Sequence, residues 1–283
     1  MLRTVVKLMG VAAALLAIML PASAQVTEGD DAPLRFGRFE HKGEVVHGFL
    51  SVGGIHTLDG GFFDPATMIT GNVIPLDEVK VLQPVEPGAV YGVALNYKSD
   101  GARKAKAPRV FTIDPASLMA HGTQVSLKAG SKDIRIEPEL VIVMGAKASK
   151  VPEAEALTYV FGVTAGLDVT GTAMREGEFG LDRRKPDTGM AVFGPWIVPG
   201  LSVGRLGFEI ESGGKRVRKA STRAMLHSAA SIISSLSQQV ELQPGDVIFT
   251  GTPGPVKPGK DGTVNMLLEG VGKLEATFST APE

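Results

Sequence analysis

Residues 134–145 read IRIEPELVIVMG, and no other stretch of the chain restricts the fold as much. In a strand, residues two apart share a face, so Glu137, Glu139, Val141 and Val143 project one way while Ile136, Leu140, Ile142 and Met144 project the other. A strand that is apolar on both faces belongs inside a sheet covered on both sides. Two carboxylates at the mouth of such a strand repel each other and lose hydration, so they call for a cation, a cluster of donors or a proton. A hard divalent ion is the economical answer, because Mg²⁺ prefers carboxylate oxygen and keeps water positions open for a substrate. Asp168, at the end of the apolar stretch 160–167, is available as a third carboxylate. The plain alternative is an acidic pair that merely ends a strand at the surface. Pro138 adds to it, since a residue without an N–H points to an edge or a bulge.

Composition agrees with a strand-rich chain. Of 283 residues, 35 are glycine and 18 proline while aromatics are only 6%, which favours short strands and turns over long helices. The expected fold is mainly β, of the α+β class. The apolar share of 43% supports a substantial core and excludes a disordered or collagen-like chain. With no cysteine there is no disulfide, thiol nucleophile or thiolate metal site. A formal net charge of −1 gives no global attraction to nucleic acid or to an anionic membrane, so a partner must be recognised in a local site.

At the start of the chain, Arg3 and Lys7 precede the uncharged run 8–20, then Pro21 and Ala22-Ser23-Ala24. That order predicts a secretory signal peptide over residues 1–24, cleaved after Ala24. The apolar run is short for a membrane span, so no stable anchor is expected after cleavage. In a bacterium the product would be periplasmic.

Residues 34–58 alternate apolar and polar residues around Gly43 and Gly53-Gly54, which predicts a small antiparallel strand set. Pro84 and Pro87 mark 81–88 as a linker, giving a small N-terminal β domain at 25–86 and a main domain at 87–283. A strand at 90–95 leads into a cationic loop, 96–108. Helices are expected at 152–160, which opens with Pro and two Glu, and at 221–240, where Met225, Ile232, Ile233, Leu236 and Val240 lie near helical spacing. Further strands are expected at 245–250 and 271–278.

Several pieces in order, VYGVALNY near Tyr91, PASL at Pro115, EPELVIVMGAKASKVPEAEALTYVFGVTAGLDVT, VFGPWIV, LQPGDVIFTGTP and EGVGKLEATF, make the chain similar to the fumarylacetoacetate hydrolase family from about Leu34 to Phe278. The resemblance implies a mixed β-sheet or β-roll core with a small N-terminal domain, usually as a homodimer. It implies Mg²⁺ or Mn²⁺ on Glu137, Glu139 and Asp168, chelated by a small-molecule 2-oxo acid or β-diketone whose developing enolate the ion stabilises. It further implies Lys185 as the catalytic lysine beside the metal, where it also binds substrate carboxylate, and places Gly251 and Thr252 of the T-G-T-P turn against the substrate. Carbon–carbon hydrolysis, decarboxylation and tautomerisation all occur in the family.

The sequence departs from that pattern in places. Hydrolytic members carry a histidine just after the Asn-Tyr dipeptide, whereas Asn96-Tyr97 is followed here by Lys98, Ser99, Asp100 and Gly101. The family lysine of the F-x-K-P segment is also missing, since Phe111 precedes Thr112, Ile113 and Asp114. The family arginine beyond the metal aspartate falls at about Thr172, with Arg175 nearby. General-base help is worth about 100- to 10,000-fold in rate, so decarboxylation or tautomerisation fits this remnant better than hydrolysis. A non-catalytic periplasmic protein that binds dicarbonyl acids fits it as well. Gly200-Leu201-Ser202-Val203-Gly204 satisfies G-x-S-x-G, but the segment after it, 206–211, is strand-like, which argues against a serine nucleophile at Ser202.

Overall fold

The computed structural model describes residues 33–98, 105–127, 134–170, 181 and 190–280. The N-terminal strands are β1 (Arg35–His41), β2 (Glu44–Ser51), β3 (Gly54–Leu58), β4 (Ile69–Ile74) and β5 (Lys80–Val81). After them come β6 (Val90–Ala94), β7 (Arg109–Ile113), β8 (Leu118–Ala120), β9 (Gln124–Leu127), β10 (Arg135–Met144), β11 (Val160–Thr170) and β12 (Met190–Val198). The chain closes with β13 (Gly207–Ser212), β14 (Lys215–Ser221), helix α1 (Ala229–Ser237), β15 (Val247–Phe249), β16 (Thr263–Leu268) and β17 (Gly272–Thr280). Of the described residues 51% are in strands and 11% in helices, so the protein is mainly β, as its composition suggests.

The strands form two mixed sheets. The larger runs β4-β3-β2-β1-β12-β11-β10-β15-β6-β7, with β5 beside β1 and β8 beside β12; the smaller runs β14-β13-β16-β17-β9. The N-terminal strands join the larger sheet through the pairing of Phe36 with Ile197. Phe161 of β11 packs against Phe36, Phe62 and Phe63 at centroid distances of 5.4 to 5.8 Å. Hairpins form where local chemistry permits them: Gly213 and Gly214 take φ of 58° and 71°, the left-handed pair that a two-residue turn between twisted strands requires.

The strand at the centre matches its sequence. Ile136, Leu140, Ile142 and Met144 enter one hydrophobic core and Val141 and Val143 the other, so β10 is buried on both faces. Pro138 is tolerated for a definable reason. Ile136 N donates to Val256 O and Thr250 N donates to Leu140 O, so even-numbered residues of β10 turn their backbone groups towards the β15 side. There the β10–β15 pairing covers only Val141 to Val143, and the missing N–H of Pro138 falls in the opening between Thr250 and Val256.

Both expected helices are shorter than their sequence patterns. The segment 152–160 holds only a 3-10 turn at Ala156–Tyr159, because Val160 begins an 11-residue strand paired along β10. The segment 221–240 contracts to Ala229–Ser237. Ser221 ends β14 and caps a 3-10 turn at Thr222–Ala224 by accepting from Arg223 N. Ser228 then restarts the chain as helix N-cap, accepting from Ser231 N at 3.1 Å, as a serine at that position should. Val81, expected in the linker, ends β5 instead. Ser202 sits in a turn that leads into β13, so the strand-turn-helix context of a nucleophile elbow is missing there. Among the described residues no helix is long and apolar enough to cross a membrane.

Candidate active site

The β10–β11 ladder sets the geometry of the carboxylates. Glu137 stands directly opposite Asp168, and Glu139 opposite Gly166, so all three acids lie on one face of the strand pair. Glu139 is 4% exposed and Asp168 2%. Glu137, less deeply buried, accepts from Thr170 Oγ1 at 3.1 Å and lies 3.6 Å from an Arg135 nitrogen. Further along the same face the ring of Phe249 and a methyl of Val141 fill the space above Gly166, 2.6 and 2.5 Å from where a Cβ would stand. The acids therefore occupy the polar end of an otherwise apolar floor.

A turn after β15 closes over them. Thr250 is fully buried and binds Leu140 O through both its N–H and its hydroxyl, which holds the turn on the β10 backbone. Gly251 then turns back with φ +93° and donates its N–H to Glu139 Oε2 at 2.6 Å. A side chain is excluded there, since a Cβ would sit 2.8 Å from Val93 O and 2.9 Å from Asn96 Cβ. Thr252 forms hydrogen bonds of 3.2 Å with both the N–H and the carbonyl of Gly254, so its hydroxyl stiffens its own turn. From the smaller sheet, Arg218 Nη1 donates to Pro253 O at 3.2 Å.

Beneath the turn, Asn96 ties three segments together. Its amide nitrogen donates to Thr250 O at 2.8 Å and His227 O at 3.2 Å, its amide oxygen accepts from His227 N at 2.8 Å, and its carbonyl accepts from Leu226 N. The neighbouring Tyr97 is fully buried. Burial first, and the charge of Glu139 second, push its phenol well above the usual tyrosine range, so the hydroxyl keeps its proton.

The structure thus sets Glu137, Glu139 and Asp168 on one face of the β10–β11 pair, with Gly251 bonded to Glu139 and Thr252 in the adjoining turn. Lys185 lies outside the described residues. Among the described residues no three His, Cys, Asp or Glu side chains are already drawn together as a ready metal cluster, so the acids share a face without converging. In donor type, three carboxylates on one partly buried face are the oxygen ligands that a hard divalent ion prefers. From the sequence, Asn96 and Tyr97 mark only the place where a histidine is missing, and Arg218 does not stand out at all. The available signal was a polar pair immediately after a wholly apolar strand.

Two mixed sheets with acidic side chains on one face of the β10–β11 pair, under a glycine turn, are the frame in which comparison with known proteins is read. Residues 89–279 match the family model for the fumarylacetoacetate hydrolase C-terminal domain, and residues 34–84 match that for an Rv2993c-like N-terminal domain. The chain belongs to the fumarylacetoacetate hydrolase family. It is 32% identical to protein Rv2993c of Mycobacterium tuberculosis over 72% of this chain and 80% of that one. Among solved structures it is similar to a 2-hydroxyhepta-2,4-diene-1,7-dioate isomerase from Mycobacterium marinum, with a TM-score of 0.78 and 27% identity over 88% of this chain and 100% of that one. A 5-carboxymethyl-2-hydroxymuconate delta-isomerase from Mycobacterium smegmatis aligns with a TM-score of 0.77 and 28% identity over 87% and 100%. Its structural neighbours are thus enzymes that act on small acids.

Proposed function

We propose that this protein is a divalent-metal-dependent enzyme that acts on a small 2-oxo or β-dicarbonyl acid by stabilising its enolate. The observation that carries the reading is the cross-strand pairing of Glu137 with Asp168, with Glu139 on the same face under the Gly251 N–H. A Mg²⁺ or Mn²⁺ ion held there would withdraw electrons from a chelated dicarbonyl. The chain's own part is to hold the acids at fixed register, to exclude water from Glu139 and Asp168, and to orient Glu139 through Gly251. Lys185 is proposed to offset the surplus negative charge and to bind the substrate carboxylate, and the Thr252 turn to border it.

The names of both isomerases describe 2-hydroxy-diene acids, which are enols of 2-oxo acids, and this supports tautomerisation or decarboxylation over hydrolysis. So does Lys98 following Asn96-Tyr97, where a water-activating histidine would be expected. The same gap favours, as the second reading, a protein that binds dicarbonyl acids without turning them over. Export after removal of residues 1–24, and work as a homodimer, belong to the proposal. They rest on the pattern of Arg3, Lys7 and Ala22-Ser23-Ala24 and on the family resemblance.

Thermal melting with EDTA, Mg²⁺ or Mn²⁺, each with and without oxalate as an enolate mimic, tests the site. A metal-dependent rise in Tm that oxalate extends, and that Glu137→Gln and Asp168→Asn lose, is the expected result; binding raises stability by mass action. Absence of any metal-dependent shift refutes the reading. Product formation from acylpyruvates or oxaloacetate then separates enzyme from binding protein.

A further inference from the structure

Arg109 opens β7, the strand at which the order of the larger sheet ends, and the register of its neighbours sets it in line with the acids. Val141 pairs with Phe249, Phe249 with Gly92 and Gly92 with Phe111. Two residues further along these strands the row becomes Glu139, Gly251, Ala94 and Arg109. Gly251 N bonds Glu139 Oε2, Gly251 lies against Val93 O, and Ala94 pairs with Arg109. The faces agree across the row. Val141, Phe249 and Phe111 enter one hydrophobic core, and Ala94 packs against it. Glu139 is two residues from Val141, and Arg109 is two from Phe111 and directly opposite Ala94, so both project from that side of the sheet.

What lies between them in the row is small and uncharged. Gly251 offers no side chain and Ala94 a single methyl. In the row behind, the ring of Phe111 fills the position that a Cβ on Gly92 would take, and the ring of Phe249 does the same at Gly166. Ala94 and Arg109 are only half-buried, so this end of the row is open. Three steps of about 4.8 Å between strands set the backbones of Glu139 and Arg109 about 14 Å apart. A glutamate, a ligand of several carbons and an arginine fill that span between them.

Resting on the function proposed above, we infer that Arg109 binds a carboxylate at the far end of the ligand, remote from its 2-oxo acid group, and so selects 2-oxo diacids over 2-oxo monoacids. A planar guanidinium receives a carboxylate through two parallel hydrogen bonds, which fixes direction as well as distance. With acids at one end of the row and a cation at the other, the ligand is oriented along it, and its methylenes lie over Gly251 and Ala94. A charged residue on an edge strand can also serve only to discourage pairing with another chain. That role leaves the choice of ligand untouched and predicts the opposite result.

The test uses a matched pair of probes, 2-oxoadipate and 2-oxohexanoate, which have the same number of carbons and differ only at the far end, carboxylate against methyl. Each is titrated calorimetrically with Mn²⁺ present, beside oxalate, which is too short to reach Arg109. The wild type should bind 2-oxoadipate about 10-fold more tightly than 2-oxohexanoate, the effect of one charge-assisted hydrogen-bonded contact. Arg109→Gln should bind the two alike and keep the wild-type affinity for oxalate. Arg109→Lys, which keeps the charge without the fork, should retain a smaller preference. Equal binding of the pair by the wild type, or an unchanged preference in Arg109→Gln, overturns the inference and leaves the proposed function standing. Loss of oxalate binding in Arg109→Gln also overturns it, since the residue would then act on the metal end of the site. Failure of the wild type to bind oxalate with either Mg²⁺ or Mn²⁺ overturns both readings. Should Arg109→Gln fold poorly, Arg109→Lys decides, and an undiminished preference for the diacid overturns the inference.

Discussion

Replacing Gly251 by alanine concentrates three separate costs in one methyl group. At φ +93° a residue with a Cβ pays about 1–2 kcal/mol in backbone strain. The new carbon would stand 2.8 Å from Val93 O and 2.9 Å from Asn96 Cβ. Neither neighbour can give way: Val93 lies in β6, and Asn96 is held by its own hydrogen bonds. Relief by moving the turn would stretch the 2.6 Å bond from Gly251 N to the Glu139 carboxylate, and hydrogen bonds to charged groups contribute about 1.5–3 kcal/mol. Together these give a loss of about 3–5 kcal/mol, or a fall in Tm on the order of 10 °C for a chain of this size. Gly61 is the control, since it has no neighbour within 4 Å of a built Cβ and no positive φ; Gly61→Ala should melt with the wild type. Differential scanning calorimetry of both variants, with urea titration to check that the transition stays two-state, reads the difference. A Gly251→Ala protein melting within about 2 °C of wild type, less than a 1 kcal/mol change produces, would show that the turn is not held as described.

Two further perturbations concern His121 and Asn96. His121 Nδ1 accepts a hydrogen bond from Glu275 N at 3.1 Å, and burial, assisted by Lys273 and opposed by Glu275, lowers its pKa below the usual 6.5. A base whose folded pKa is depressed contributes full stability above about pH 6.5 and loses it as pH falls towards the folded value. The drop in Tm between about pH 7 and pH 5 should therefore shrink in His121→Gln, and an unchanged pH profile would contradict the assignment. Asn96→Ala removes three side-chain hydrogen bonds to buried backbone and should cost about 3 kcal/mol in urea unfolding, at about 1 kcal/mol each. A loss below about 1 kcal/mol would mean that the three segments hold together without it.

The features legible before folding are local. The alternation through Ile136, Leu140, Ile142 and Met144 against Val141 and Val143 needs only the two-residue period of a strand, and the two cores receive those side chains as the pattern requires. The same period puts Glu137 and Glu139 on one face. The helices are over-read for an equally definite reason. Apolar spacing from Met225 to Val240 looks helical whether or not Ser221 and Ser228 interrupt it, and 152–160 opens like a helix although Val160 is needed by β11. Propensity is a weak prior, and the ladder overrides it.

By itself, then, the sequence determined a mainly β chain, a doubly buried central strand and an acidic pair at its mouth, because these depend on composition and on neighbours along the chain. Only the tertiary structure decided that Glu137 faces Asp168 and not a residue one step away, that β15 parts from β10 near Pro138, and that Asn96 lies against Gly251. Each of those depends on register between segments far apart in sequence, where a slip of one residue would turn every side chain to the other face.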